Sequence, residues 1–121
     1  MTDAGTVLIV EDDVDLRQDL AFLIENQGHE VITAANGQEA LERLAEKGRP
    51  CMILLDLMMP VMDGWELRSE LLKDPAMKDV PVVLLSGIAD IKEEARSLQA
   101  KDYVTKPIDL EKLYKLVAQY C

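Results

Sequence analysis

Asp56 closes an apolar run, Met52-Ile53-Leu54-Leu55, and is followed at short intervals by Pro60 and the pair Asp63-Gly64. Desolvating a charge is costly, so a carboxylate at the end of a buried segment needs a task. Three other groups stand in comparable places. Glu11-Asp12-Asp13 follows the run Thr6–Val10, Ser86-Gly87 follows Val80–Leu85, and Lys106-Pro107 follows Asp102–Thr105. A carboxylate can attack a phosphoryl donor. Cations and hydroxyl donors around it can offset the charge that develops on the transferred group. Together these residues read as a phosphoryl-accepting site.

Each signal has a blander reading. Asp12 or Asp13 could cap a helix, but three adjacent carboxylates exceed what a cap requires. With Asp56 close to Asp12, like charges roughly 4 Å apart repel by about 4 kcal/mol at an effective dielectric near 20. A divalent cation relieves that repulsion, and oxygen-only ligands favour Mg²⁺. Ser86-Gly87 taken alone is turn chemistry. It could also place a hydroxyl on a phosphoryl oxygen, with Gly87 leaving room. Most lysines are solvated, yet Lys106 lies between an apolar strand and a proline. A cis bond at Pro107 would turn Lys106 back over the sheet edge. Tyr103 could simply pack in the core with its hydroxyl at the surface.

The elements that must position these groups are legible as alternating apolar runs and amphipathic stretches. Strands are expected at Thr6–Val10, Glu30–Ala34, Cys51–Leu55, Val80–Leu85 and Asp102–Thr105. Helices are expected over Val14–Asn26, from Ala40 through Leu44, around Trp65 to Leu72, over Ile88–Leu98 and over Ile108–Tyr120. Gly28, Asn36-Gly37 and Asp74-Pro75 punctuate them. Strict β-α alternation, with strands apolar on both faces, implies a parallel sheet covered by helices on both sides. Sites in such sheets form beyond the carboxyl ends of the strands. The candidate residues follow the first, third, fourth and fifth strands.

The totals agree with one domain over residues 1–121. Apolar residues make up 49% of the chain and aromatics 4%, so the core must be aliphatic. No apolar run is long enough to span a bilayer. The segment Met-Thr-Asp-Ala-Gly lacks the features of a secretory signal. Cys51 and Cys121 form no CxxC pair, which leads us to expect a reduced, cytoplasmic protein without disulfide or zinc. A net charge of −10 disfavours direct nucleic-acid binding and favours cations or a basic partner surface. His29, the one histidine, reads as a surface residue in a turn. Trp65 and the helical leucines read as packing.

The residues Val10-Glu11-Asp12-Asp13, Asp56-Leu57-Met58-Met59-Pro60-Val61-Met62-Asp63-Gly64, Leu85-Ser86-Gly87 and Asp102-Tyr103-Val104-Thr105-Lys106-Pro107 resemble the receiver domain of two-component response regulators. The resemblance runs over essentially the whole chain. It implies an α/β fold with a five-stranded parallel sheet in flavodoxin-like order 2-1-3-4-5. It implies that Asp56 is phosphorylated by a histidine kinase or phosphotransfer protein. Asp12, Asp56 and the Met58 carbonyl would coordinate Mg²⁺, with Glu11 acting through water. Ser86 and Lys106 would hold the phosphoryl oxygens, and Tyr103 would be the aromatic switch. The face made by the fourth helix, fifth strand and fifth helix would then change for a downstream target, as monomer or phosphorylation-dependent dimer.

Two departures carry expectations. Gln99 stands where the family often has glycine, and glutamine disfavours a left-handed cap, so a different turn is expected there. Met58 and Ile88 cannot hydrogen-bond an attacking water, so slow hydrolysis of phospho-Asp56 is expected. Rival readings fit less well. A haloacid-dehalogenase-type phosphatase needs a second acid where Met58 stands. An FMN binder needs a phosphate loop after the first strand, where Glu11-Asp12-Asp13 would repel phosphate. A receiver module of a hybrid kinase or transcription factor stays open. The initial Met leans toward a stand-alone protein or N-terminal module.

Overall fold

The computed structural model describes residues 5–121, so the reading of the first residues as lacking a secretory signal lies largely outside it. The element order is β1 (Thr6–Val10), α1 (Val14–Glu25), β2 (Glu30–Ala34), α2 (Gly37–Lys47), β3 (Met52–Asp56), α3 (Gly64–Lys73), β4 (Val82–Ser86), α4 (Ile91–Ser97), β5 (Asp102–Thr105) and α5 (Leu110–Tyr120). All strand pairs are parallel and the sheet order is β2-β1-β3-β4-β5, as the resemblance implies.

Side chains alternate across a strand, and here both faces are apolar. Leu8, Val10, Ile53, Leu55 and Leu84 pack with Ala40, Leu44, Leu67, Leu71, Ile91 and Ala95 of α2, α3 and α4. Val7, Ile9, Met52, Leu54, Val83, Leu85 and Val104 pack with Leu20, Ile24, Leu113, Leu116 and Val117 of α1 and α5. Every residue of β3 and β4 is buried, which explains why both read as unbroken apolar runs. Among the described residues, no helix is long and apolar enough to cross a membrane.

Side-chain caps start four of the helices. Asp13, Asn36, Asp63 and Asp109 accept from the backbone N–H groups of Leu16, Glu39, Glu66 and Lys112. Asp63 and Glu66 form a reciprocal capping box. α4 lacks a side-chain cap and is only seven residues long, shorter than the expected Ile88–Leu98. β4 starts at Val82 rather than Val80, after Pro81, which has no N–H to give to a ladder. Asp56 and Ser86 prove to be the last residues of their strands.

Two sequence expectations are corrected. Cys51 and Cys121 are joined by a disulfide across 70 residues of chain, with Cα atoms 5.4 Å apart. Topology brings them together. The Cys51 N–H donates to Thr6 O at the start of β1, and both cysteines pack on the α1/α5 core, where α5 ends. Spacing in sequence carries no trace of that meeting. Gln99 does take the left-handed conformation, at φ +57°. Its N–H donates to Arg96 O and that of Ala100 to Ala95 O, the two bonds of a Schellman motif. Arg68 of α3 explains the tolerance: its Nε donates to Leu98 O at 2.8 Å and its Nη2 to Gln99 O at 3.0 Å.

Candidate functional site

Register assembles the site. Val10 pairs with Leu55, so Glu11 and Asp56 emerge side by side at the carboxyl ends of β1 and β3. Asp56 pairs with Leu85 and Ser86 with Thr105, which brings Ser86 and Lys106 to the same sheet edge. The Lys106 N–H donates to Ser86 O at 3.1 Å, and the Lys106-Pro107 bond is cis.

The three acids after β1 divide their roles. Asp13 caps α1. Glu11 is buried, accepts from the Asp13 N–H at Oε2 and lies 2.9 Å from Lys106 Nζ at Oε1. Asp12 is exposed, and its carboxylate, with those of Glu11 and Asp56, offers ligand oxygens within 4.8 Å of one another. Asp56 is 2% exposed, with Oδ2 3.5 Å from Lys106 Nζ and Oδ1 accepting from the Met58 N–H at 3.3 Å. Burial first, then the Glu11 charge, pushes the Asp56 carboxyl up from 3.8 to about 7; Lys106 and the Met58 N–H pull the other way. Burial alone would lower the Lys106 ammonium, but its contacts with Glu11 and Asp56 outweigh that and raise it.

The Ser86 hydroxyl accepts from the Ile88 N–H at 3.2 Å. A Cβ on Gly87 would meet only Lys106 Cβ at 3.7 Å, an ordinary contact. Packing within the chain therefore does not demand glycine at 87. Gly64 is different: a Cβ there would lie 2.5 Å from Asp56 O and 2.7 Å from Leu57 Cα. The start of α3 is thereby pressed against the strand that carries Asp56, and Gly64 N–H donates to Leu57 O. In the same loop Val61, at φ +70°, sits inside a three-residue turn closed by Met62 N–H to Pro60 O. A β-branched residue in that conformation is strained.

Tyr103 is half-buried against the α2–α4 core, with Lys112 Nζ of α5 4.1 Å from its ring centroid. Lys112 also pairs with Asp102 at 3.2 Å. Met58 is exposed and Ile88 half-buried against the same core; His29 is half-buried. Sequence reasoning placed Trp65 as packing, which holds, but missed that its Nε1 donates to Glu94 Oε1 at 2.7 Å and ties α3 to α4. It also missed Arg68, which reads as an ordinary helical charge but is 3% exposed.

Known proteins share both sequence and fold. The chain is 36% identical to the phosphate regulon transcriptional regulatory protein PhoB of Pseudomonas aeruginosa over 89% of its own length. It spans less than half of that regulator, 48%. The chemotaxis response regulator CheY4 of Vibrio cholerae superposes with a TM-score of 0.86 at 32% identity, covering 99% of this chain and all of the other. The receiver domain of the sensor histidine kinase PA1611 of Pseudomonas aeruginosa, solved with a magnesium ion in its active-site cleft, gives 0.85 at 25% identity, with 96% of each chain covered. Residues 7–118 match the response regulator receiver domain, and with the acid cluster, Ser86 and Lys106 gathered at one sheet edge, the chain belongs to that family.

Proposed function

We propose that residues 1–121 act as one phosphorylation switch in which Asp56 accepts a phosphoryl group from a phosphohistidine on a kinase or phosphotransfer protein. The observation that carries this reading is a 2% exposed carboxylate with an ammonium at 3.5 Å and two further acids within 4.8 Å. Nothing in a stable core calls for that combination, because crowded buried carboxylates are costly.

The donor set fits Mg²⁺: it is all oxygen and anionic, and burial, then the neighbouring Glu11 charge, already pushes Asp56 toward neutrality. Asp12, Asp56 and the Met58 carbonyl would hold the ion, with Glu11 acting through water. The ion would neutralise charge on the incoming phosphoryl oxygens. Asp56 supplies the attacking oxygen, and Lys106 and Ser86 take the phosphoryl oxygens once transferred. The chain thus assists its own phosphorylation and dephosphorylation. Ser86 following the phosphoryl group opens space for Tyr103, and the α4-β5-α5 face then changes for a target protein. The setting this reading implies is the cytoplasm, where ATP-dependent kinases charge their histidines, although a disulfide such as Cys51–Cys121 is unusual in that compartment. The same reading holds for a module within a longer kinase or regulator, as the PA1611 receiver domain and PhoB illustrate.

Beryllofluoride with Mg²⁺ tests this reading. Backbone NMR shifts should move at Asp12, Asp56, Ser86 and Lys106 and extend to Tyr103. Shifts absent from these residues, or equal without Mg²⁺, overturn it.

A further inference from the structure

A polar cavity lies at the opposite end of the sheet from Asp56. It measures about 250 Å³, and Arg68, Lys78, Asp79, Val82, Gln99 and Lys101 are among the residues that line it. Val82 opens β4 and Ser86 closes it. At about 3.3 Å per residue, roughly 13 Å of strand separates this cavity from the phosphoryl site. The two sites share no residue.

Arg68 is what sets the cavity apart. Two of its donor groups hold the Leu98 and Gln99 carbonyls. Its third nitrogen, Nη1, is buried and has no hydrogen-bond partner, although the whole residue is only 3% exposed. A buried guanidinium donor without an acceptor is unfavourable and rare in native proteins. Around it stand two exposed lysines, Lys78 and Lys101, and one exposed carboxylate, Asp79. Three cations against one anion is a local excess of positive charge in a chain of net charge −10. None of these residues takes part in the site at Asp56.

We propose that this cavity binds a small tetrahedral oxyanion of phosphate or sulfate type, with Lys78 and Lys101 at its rim and the guanidinium of Arg68, one of its lining residues, at its inner end. The volume lies just under the roughly 300–1,000 Å³ of most small-molecule sites, which leaves room for an oxyanion together with bound water. Guanidinium geometry suits phosphate oxygens, and desolvation around Arg68 strengthens a charge-assisted bond. Arg68 already grips the left-handed turn at Gln99. An anion on the guanidinium would immobilise the same side chain and stiffen the connection between α4 and β5.

Titration of the whole chain with inorganic phosphate, followed by NMR at constant ionic strength, tests the proposal. Saturable shifts are expected at the Arg68 Nε–H and the Gln99 and Lys101 amides, with chloride giving none. The double variant Lys78→Ala/Lys101→Ala changes only exposed residues and should weaken affinity by about tenfold or more. Asp79→Asn should tighten it. The proposal fails if shifts do not saturate, if chloride reproduces them, if the double variant binds equally well, or if they cluster at Glu11, Asp56 and Ser86 instead. It also fails if Asp79→Asn leaves affinity unchanged.

Discussion

Lys106 Nζ lies 3.5 Å from Asp56 Oδ2, although β5 and β3 are not neighbours and β4 runs between them. The lysine side chain therefore spans the end of β4. That span makes one ammonium the common partner of Asp56 and Glu11. Lys106→Met should leave the crowded acids without their cation and push the Asp56 carboxyl further up. Transfer from acetyl phosphate should slow on the order of a hundredfold, as for loss of one preorganised charge-stabilising donor. Initial rates of phosphorylation check this, and an unchanged rate would remove Lys106 from the mechanism.

Asp56 gives the apo protein a defined pH dependence. Its folded pKa is raised from 3.8 to about 7, so between those values the folded state binds more protons than the unfolded state. Stability must then fall as pH rises through that window. Full ionisation costs about 4 kcal/mol at most, since each tenfold change in proton affinity corresponds to about 1.4 kcal/mol. Asp56→Asn should therefore raise the melting temperature at pH 8 more than at pH 5, without Mg²⁺. Millimolar Mg²⁺ should stabilise the wild type at pH 8 by linkage. Melting curves at the two pH values, with and without Mg²⁺, decide it; equal gains at both pH values would contradict the buried-acid account.

The disulfide makes a separate prediction. Closing a loop of 70 residues is worth about 4 kcal/mol in the chain-entropy picture. Reduction of Cys51–Cys121 should lower the melting temperature on the order of 10 °C. Cys121→Ser should match the reduced wild type and no longer respond to reductant. Thermal melts with and without a dithiol reductant test both statements.

Much of this was legible in the sequence because the relevant signals are local. Apolar runs ending at Val10, Leu55, Leu85 and Thr105 mark the strand ends where chemistry collects. What stayed hidden depends on contacts between distant segments. Arg68 is an ordinary charge in an amphipathic helix until α4 ends against it. Gln99 looks unfit for a left-handed turn until the Arg68 guanidinium is counted. Cys51 and Cys121 meet only because α5 returns beside the start of β3. The division of labour among Glu11, Asp12 and Asp13 likewise follows from backbone direction after β1, which residue type does not encode.

Met58 and Ile88 bear on the lifetime of the phosphorylated state. Met58 is 60% exposed two residues after Asp56, and Ile88 is held through its N–H to Ser86 Oγ. Neither side chain can orient a water for attack on phospho-Asp56. Met58→Asn with Ile88→Glu should shorten the phosphoryl half-life by about tenfold or more, within the range of general-base positioning effects. Loss of label over time in the two proteins measures this, and an equal or shorter half-life in the wild type contradicts it.

The most direct test is to locate the phosphoryl group itself. Incubation with acetyl phosphate and Mg²⁺, followed by borohydride trapping and peptide mass analysis, should place a single modification on Asp56. Removal of Mg²⁺ or the substitution Asp56→Asn should abolish it. Modification at another residue, or undiminished modification of Asp56→Asn, would contradict the account.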